Sequence, residues 1–341
     1  MAAWLGVLLL AVCAEADNYL YPHPTNNTDR VLIVTDRTAM VDYVPDPAVV
    51  QRMVNRGLTN FTGRGTVAEA WRSLVSTQDI VGIKVFSAGG EICGTRPAVV
   101  AAVVRGLLEA GLPAAHIIIW DKYEGDLRAA GYFKLGKQLG VPVVGAVGSG
   151  YDPTNFYLPD NPVIGHLRYG DLEFGKKGSD IGKKSYVSLL VSRRLTNIIS
   201  IAPLLNEDDV GVCGHLYSVA LGSVDNTFRF EGDPGRLAIA VPEIYALPSL
   251  SDRVAFNITD ALIGQYEGGP DGLLQYSEVP DQLWFSRDPV ALDTLAMKEL
   301  ERARQERHAA EFPLNTAIYT NASLLQLGTA DTAKIQVEKM Q

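Results

Sequence analysis

The sequence predicts an α/β protein with a mainly parallel open sheet and helices on both faces of that sheet. Short apolar, β-branched runs alternate along the chain with stretches of helical periodicity. Two of these runs, residues 79–86 and 116–120, flank a long helical stretch in the order of a βαβ unit. Because a crossover helix returns the chain to the same edge of the sheet, this alternation favours parallel strands.

The elements before this unit are a strand and two helices. The buried run Val31-Leu-Ile-Val34 is typical of a strand. Pro47 begins a helical stretch that reaches about Leu58, and Asp46 is placed to cap it. A second helix is expected over 67–75, because Thr66 and Glu69 have the spacing of a capping box.

The βαβ unit itself continues to Asp121. After strand 79–86 comes a glycine-rich loop, and a helix is then expected over 96–110, with Pro97 in its first turn and Gly111 at its end. The strand 116–120 ends at Asp121, and Val141–Val144 is a candidate for one more strand.

Residues 147–185 have a different character, with many Gly, Pro, Asp and Tyr residues and little periodicity. We interpret this stretch as one irregular insertion near an edge of the sheet. Beyond it we expect the following elements: strands at 197–201, 254–258 and 283–285, and a final helix over 289–307 that Asp288 caps.

The first sixteen residues have the pattern of a signal peptide. An apolar run from Trp4 to Val12 is too short to span a bilayer, and the small-residue sequence Ala14-Glu-Ala16 follows it. We therefore expect an exported protein, periplasmic or extracellular, whose single α/β domain comprises 17–341. A buried N-terminal helix is the alternative interpretation of the same run.

Charge and hydropathy restrict the class of partner. The net charge is -9 and the sequence contains no basic run, which argues against nucleic acid as a partner. We expect no membrane contact once the signal peptide is removed, because no later stretch is long and apolar enough to cross a bilayer. A small-molecule ligand is the expected partner.

Ligands of open parallel sheets bind beyond the carboxyl ends of the strands. The loop and helix start at 89–96 follow the strand 79–86, and backbone N–H groups there can hold an anion. The candidate ligand-binding and polar residues selected by this rule are Gly90, Thr95, Arg96, Asp121, His215, Asp260 and Glu267. Asp121 and Asp260 also have structural alternatives, and for Asp260 the alternative is the cap of a short helix.

Lys84 is a candidate catalytic residue because it interrupts the apolar strand Ile80-Val-Gly-Ile-Lys-Val85. A lysine in a buried strand either lies at a solvated edge or faces a polar site. In a polar site it can bind phosphate or carboxylate, or carry an amine of perturbed pKa.

Removal of the signal peptide would leave Cys93 and Cys213 as the cysteines of the chain. In an exported protein they can form a disulfide. With His215 they can instead bind a divalent or copper ion, since thiolate and imidazole are ligands for zinc and copper. They can also be buried thiols that serve only in packing. The spacing of Cys213-Gly-His215 does not decide among the three.

Several ordered segments together resemble the bacterial and archaeal family catalogued as domain of unknown function 362. The likeness covers about residues 79–300 and rests on the following segments: Val81-Gly-Ile-Lys-Val85, Thr95-Arg-Pro-Ala-Val-Val100, Ile117-Ile-Ile-Trp-Asp121, Asn197-Ile-Ile-Ser-Ile-Ala-Pro203, Gly211-Val-Cys-Gly-His215, Gly222-Ser-Val-Asp-Asn226, Thr259-Asp-Ala-Leu262, Gly268-Gly-Pro270 and Ser286-Arg-Asp-Pro-Val-Ala-Leu-Asp293.

The resemblance implies an α/β domain that is often exported, and it adds Asn226 to the candidate ligand-binding residues. Some members carry ferredoxin-type cysteine clusters, which this chain lacks, so no iron–sulfur cluster is expected. Asp225-Asn226 replaces a Lys-Asn pair, and Leu204-Leu-Asn206 replaces a Lys-x-His-like stretch. If that lysine is needed, this chain is a divergent or inactive member.

Three functional hypotheses follow. The first is an enzyme for a small anionic or polar ligand, in which Lys84 and the 89–96 loop bind the ligand, His215 is a general acid and base, and Asp121 and Asp260 orient groups or bind a cation. The second is a non-catalytic metal-binding protein that uses Cys93, Cys213 and His215. The third is a carbohydrate- or surface-binding module that uses the following aromatic residues of the insertion: Tyr151, Phe156, Tyr157 and Tyr169.

Overall fold

A computed structural model describes residues 29–269, 271–307 and 315–341. The predicted signal peptide at 1–16 lies outside these residues. The strands are β1 (Arg30–Thr35), β2 (Met40–Val41), β3 (Val44–Pro45), β4 (Val81–Val85), β5 (Ile117–Asp121), β6 (Val143–Gly145), β7 (Tyr151–Tyr157), β8 (Ser185–Ser188), β9 (Asn197–Glu207), β10 (Gly211–Val212), β11 (Val254–Gln265), β12 (Ser277–Glu278), β13 (Gln282–Ser286) and β14 (Gln336–Met340).

The helices are short to medium in length. They are α1 (Pro47–Thr62), α2 (Val67–Arg72), α3 (Gly90–Cys93), α4 (Pro97–Glu109), α5 (Glu124–Ala129), α6 (Tyr132–Leu139), α7 (His215–Ser223), α8 (Pro234–Tyr245), α9 (Pro289–Glu306) and α10 (Ala317–Leu324). In the described part of the chain, no helix is both long and apolar enough to cross a bilayer.

The main sheet confirms the predicted fold class. Its strand order is β14-β1-β13-β11-β9-β4-β5-β6, and the five strands from β11 to β6 are all parallel. Only β13 on this path runs against its neighbours, and the short β10 and β12 pair with the ends of β9 and β11. The carboxyl ends of the parallel strands therefore meet at one edge.

Helices cover both faces of this sheet. Val81, Ile83 and Val85 of β4 face a core that contains buried residues of α1, α2 and α4. Successive side chains of a strand alternate between faces, so Gly82 and Lys84 face the other side. There α7, α8, α9 and α10 enclose the second core.

Local sequence signals place the early helices where they were expected. The Asp46 carboxylate accepts hydrogen bonds from the N–H groups of Ala48 and Val49 at the start of α1. Thr66 and Glu69 form the expected capping box of α2. The predicted final helix corresponds to α9, and Asp288 caps it by accepting the N–H of Ala291.

Two expectations need correction. The insertion is not wholly irregular, because β7 and β8 within and beside it pair as a separate antiparallel ribbon. The strands predicted at 197–201 and 254–258 are in fact much longer, so Asn206 and Asp260 lie inside β9 and β11 rather than beyond them. Both polar side chains are buried within the strands, where they form hydrogen bonds.

Candidate functional site at the carboxyl ends of β4 and β5

Lys84 and Asp121 form a buried ion pair at the carboxyl ends of two neighbouring parallel strands. The Lys84 Nζ lies 2.7 Å from Oδ1 of Asp121. Only 1% of Lys84 and 7% of Asp121 is exposed. The structure thus brings together two residues that the sequence selected separately.

The lysine ammonium is fully engaged. Besides Asp121, it donates to the backbone oxygen of Val85 at 2.6 Å and to the Ser218 Oγ of α7 at 2.7 Å. Three donors are all that an ammonium has. Any ligand of this site therefore has to exchange with, or act through, one of these three partners.

Helix α7 approaches the lysine closely because it carries a glycine at the contact. A Cβ on Gly222 would lie 2.4 Å from Cε of Lys84, which is too close for any other residue without a shift of the lysine. On the other side, the Lys84 Nζ lies 5.6 Å from the ring centroid of Trp120. Gly222 and Trp120 thus fix where the amine lies.

Asp121 also holds the two segments that follow the strands. Its Oδ2 accepts hydrogen bonds from the N–H and the hydroxyl of Ser87, at 2.8 Å and 2.7 Å. Its Oδ1 accepts the N–H of Lys122 at 2.7 Å. The carboxylate is therefore the centre of the polar edge formed after β4 and β5.

Burial determines the electrostatics of the pair. Removing an ammonium from water disfavours its charged form, so burial lowers the pKa of Lys84, and the Asp121 carboxylate opposes this effect. A charge buried to this extent is tolerated only when it is paired and hydrogen-bonded. A buried lysine whose pKa is lowered and which has a specific charge partner is a feature of functional sites, and structural ion pairs share it.

A second lysine extends the polar edge. The Lys122 Nζ donates to Thr227 Oγ1 at 2.6 Å, and that hydroxyl donates to Glu231 Oε1 at 2.6 Å. Burial lowers the pKa of Lys122, and nearby carboxylates oppose this shift: Glu231, Asp171, Asp225 and Asp121. The sequence-based selection missed Ser87, Lys122 and Ser218. Ser87 and Lys122 could have been found by the same strand-end rule, but nothing in the sequence places Ser218 against Lys84.

His215 is not at this site, and the expectation that it titrates in the working range is wrong. The side chain is fully buried against the face of the sheet, with Nδ1 2.8 Å from Ser200 Oγ of β9 and Nε2 3.1 Å from Thr259 Oγ1 of β11. Burial lowers the pKa of His215 to about 3. It is a neutral core histidine, which cannot exchange protons with a ligand near neutral pH.

The N–H group at the start of α4 is bound by a carboxylate of the protein itself, that of Asp260, and not by a ligand. Oδ2 of Asp260 accepts the N–H of Arg96 at 2.8 Å, and Oδ1 lies 3.2 Å from Nη1 of the same arginine. The Thr95 hydroxyl donates to the backbone oxygen of Ile201 and accepts the N–H of Phe86. These contacts connect β4, β9 and β11. They correct the prediction that Thr95 and Arg96 bind a ligand and that Asp260 is catalytic, because all three side chains are engaged in structural contacts.

The remaining ligand-binding candidates are dispersed. Glu267 pairs with Arg304 at 2.9 Å, and Gly90 begins the short α3 with a positive φ of 62°. Asn226 adopts a left-handed conformation and donates to the backbone oxygens of Gly182 and Lys184 in the insertion. None of these three contacts Lys84 in the described hydrogen bonds.

Cys93 and Cys213 lie in one small apolar cluster with Phe86 and Leu205. Both carry thiols, and burial raises the pKa of each. His215 does not join them, because its two ring nitrogens are directed at hydroxyls. Among residues 29–269, 271–307 and 315–341, no three His, Cys, Asp or Glu side chains are arranged to hold a metal ion, so the geometry gives no support to the Cys93/Cys213/His215 metal site.

Comparisons with known proteins add little to this geometry. No protein-family model matches the sequence, and no curated protein does. A crystal structure of a protein from Thermotoga maritima is similar over 76% of this chain, with a TM-score of 0.41 and 13% sequence identity, and the match spans 59% of that protein. Fold and site define an α/β protein with a buried Lys–Asp pair at the carboxyl ends of the parallel strands β4 and β5. Membership of the family that the motifs resemble stays a prediction.

Proposed function

We propose that this protein is an exported enzyme that binds a small anionic or polar molecule at the carboxyl ends of β4 and β5. The observation that supports the proposal is the Lys84–Asp121 pair, because it places a lysine of lowered pKa at the edge where sheets of this class bind ligands. Export rests on the sequence pattern of residues 1–16.

The chemistry that suits this arrangement is proton transfer. A lysine whose charged form is disfavoured by burial gives up its proton more readily than an exposed lysine and can then act as a general base. The ammonium that donates to Asp121, Val85 and Ser218 would first release one proton to solvent, and the neutral amine would then take a proton from the bound molecule onto its Nζ. Asp121 then balances the ammonium that forms, so no net charge is left without a partner.

The test is ligand-dependent stabilisation with defined probes. Inorganic phosphate, sulfate, acetate and pyruvate are added singly, and the melting temperature Tm is measured. We expect at least one to raise the Tm of the wild-type protein, since a ligand at a hundred times its Kd stabilises by about 2.7 kcal/mol. The Tm increase should vanish in Lys84→Met, which keeps the side-chain volume but removes the charge.

The matched control is Lys137→Met, because Lys137 is an exposed lysine on α6. If Lys84→Met is too unstable to assay, Ser218→Ala removes one partner of the amine and leaves the ion pair in place. A Tm increase that survives in both site variants would exclude ligand binding at Lys84. The absence of any Tm increase in the wild type would exclude this class of ligand.

A further inference from the structure

The two cysteines of the described chain, Cys93 and Cys213, meet in one apolar cluster although they lie 120 positions apart in the sequence. Cys93 is the last residue of α3 and is 4% exposed, and Cys213 follows β10 and is fully buried. Phe86 and Leu205 complete the cluster. A thiol behaves as a small hydrophobe that fits anywhere in the two large cores. Apolar packing therefore does not explain why both cysteines lie in this third cluster.

The contacts between the two sulfurs and the backbone are long. The Cys93 Sγ lies 3.5 Å from the backbone oxygen of Gly89, and the Cys213 Sγ lies 3.8 Å from that of Asn206. A thiol is a weak hydrogen-bond donor. These contacts are therefore readily exchanged when a sulfur turns about its Cα–Cβ bond.

The two sulfurs also lie within electrostatic reach of each other. Burial raises the pKa of the Cys213 thiol, and the Glu207 carboxylate and the Cys93 thiolate raise it further. The effect of Cys93 exceeds that of Asp293. Yet the Asp293 carboxylate is a near neighbour, since it binds the N–H of His215, two residues from Cys213. Coulomb's law therefore places the two sulfurs close together.

The cysteines lie on the two segments that contact the Lys84–Asp121 pair. One segment follows β4, begins at Ser87 and ends with α3, and the N–H and hydroxyl of Ser87 donate to Asp121. The other leads from β10 into α7, whose Ser218 hydroxyl accepts a hydrogen bond from Lys84. A covalent bond between the cysteines would therefore join these two segments directly.

We propose that Cys93 and Cys213 form a disulfide in the oxidised protein, and that this bond fixes the loop after β4 to the start of α7 beside the Lys84–Asp121 pair. The bond is a modification that stabilises the candidate site, and it does not depend on which ligand or reaction that site has. Disulfides persist outside the cytoplasm, which agrees with the proposed export. Because the bond closes a long loop, it removes much conformational entropy from the unfolded chain.

The bond forms by thiol–disulfide exchange with a small disulfide such as oxidised glutathione. The thiolate of one cysteine attacks the glutathione disulfide, and one glutathione thiolate leaves. The second cysteine, also as its thiolate, then displaces the remaining glutathione from the mixed disulfide. In total the two cysteines lose two protons and two electrons, and oxidised glutathione takes up both to become two molecules of glutathione.

Burial determines when the exchange takes place. It raises the pKa of both thiols, so neither is a ready nucleophile in the folded protein. We therefore expect the bond to form during folding, before the cluster closes. Once the protein has folded, the bond should form and be reduced only slowly.

The test compares protein refolded from urea with reduced and oxidised glutathione against protein refolded with a reductant. Every sample carries Cys13→Ser, so that the third cysteine of the chain cannot take part. Peptide mapping under non-reducing conditions should show Cys93 joined to Cys213 in the first sample alone. The Tm of the oxidised protein should exceed that of the reduced protein by about 5–15 °C, since a disulfide that closes a long loop stabilises strongly.

Matched single variants show whether the Tm shift comes from the bond. In Cys93→Ala and in Cys213→Ala, the two refolding conditions should give equal Tm values, because one partner of the bond is missing. Amide hydrogen exchange in the oxidised parent protein should slow in residues 87–94 and at the start of α7, and stay unchanged in β7. The comparison of the oxidised and reduced parent needs no substitution in the cluster, so it stands even where a variant fails to fold.

Three results would overturn the proposal. In the first, both cysteines are alkylated in full after refolding with oxidised glutathione, which would leave them as packing residues. In the second, they are joined to glutathione or to a second chain instead of to each other. In the third, the oxidised form has the lower Tm. None of these results involves a ligand or a change at Lys84, so they are distinct from the test of the proposed function.

Discussion

Lys84 shows how one residue can be recognised in a sequence while its role depends on residues far away in the chain. Its charge interrupts an apolar strand, and this is visible without a structure. Its partners are Asp121 and Ser218, 37 and 134 residues further on, and the second of these has no sequence signal. Strand periodicity does determine the face of the sheet on which the amine lies, because Lys84 alternates with Ile83 and Val85.

His215 leads to a prediction about acid stability. Its pKa is lowered to about 3 in the folded protein, whereas an unfolded histidine titrates near 6.5. The unfolded state therefore binds the proton first as the pH falls below about 6.5, and stability is lost from that point downwards. Between pH 7 and pH 4 this one residue should cost the wild type about 3 kcal/mol.

The measurement is the free energy of unfolding in urea at several pH values for the wild type and His215→Gln. The variant should be less stable at pH 7 by about 1–3 kcal/mol, because Ser200 and Thr259 lose a partner, but its stability should fall less on acidification. Asp288 and Asp293, whose pKa values burial raises to about 7, have the opposite slope in both proteins. The control is His166→Gln, because His166 is exposed in the segment between β7 and β8. Equal slopes for the wild type and His215→Gln would contradict the prediction.

At the level of elements, the free backbone N–H groups at the starts of α4 and α7 donate to carboxylates from elements far away in the sequence. Asp293 of α9 accepts the N–H groups of His215 and Leu216, at 2.7 Å and 2.9 Å. In the sequence, Asp293 looks like a residue that favours the dipole of its own helix. In the structure, Asp293 instead caps α7, a helix that begins 78 residues earlier. Local sequence patterns cannot reveal a contact of this kind.

The anchoring of residues 158–184, which connect β7 to β8, gives a second prediction. Asp225→Ala leaves the N–H groups of Leu172 and Tyr186 without their acceptor, at a cost of about 1–3 kcal/mol each. The effect should be local, so amide hydrogen exchange should accelerate at these two residues and along residues 158–184, and not in β4 or β9. Asp180→Ala, which removes an exposed ion pair, should change little. Unchanged exchange at Leu172 in Asp225→Ala would show that this segment is held in another way.

The extent of the strands marks the limit of what the sequence predicts. Alternation of short apolar runs and helices was sufficient for the fold class and for α1, α2, α4 and α9. It is insufficient for the lengths of β9 and β11, because it predicts that Asp260 follows its strand, whereas Asp260 lies inside β11. Asp260 is tolerated inside β11 because the Arg96 guanidinium pairs with it, and that pairing joins residues 164 positions apart.

At the scale of the whole molecule, one helical layer packs unusually close to the sheet. Gly57 in α1 faces Phe285 of β13, and a Cβ there would lie 2.3 Å from the ring. Gly57→Ala should therefore destabilise the protein by about 1–3 kcal/mol in urea unfolding, even though alanine is the better helix former. At this contact between α1 and the sheet there is no space for an additional methyl group.

Gly125→Ala in α5 is the matched control for this change. A Cβ at Gly125 meets no atom within 4 Å, so only the helix propensity should act, and we expect stabilisation of about 0.5–1 kcal/mol. The two substitutions are chemically identical and opposite in sign. Stabilisation by both would mean that α1 can move away from the sheet at little cost.

The position of β1 in the sheet also constrains the order in which the chain can fold as it is synthesised. β1 comprises residues 30–35, but its two neighbours are β13 and β14, residues 282–286 and 336–340. The parallel strands β4, β5 and β9 can associate once residue 207 has left the ribosome, while β1 has no partner until the last sixty residues follow. Because long-range pairing is slow and exposes unpaired strands, the apolar residues of β1 stay accessible to chaperones for most of the time that synthesis of the chain takes.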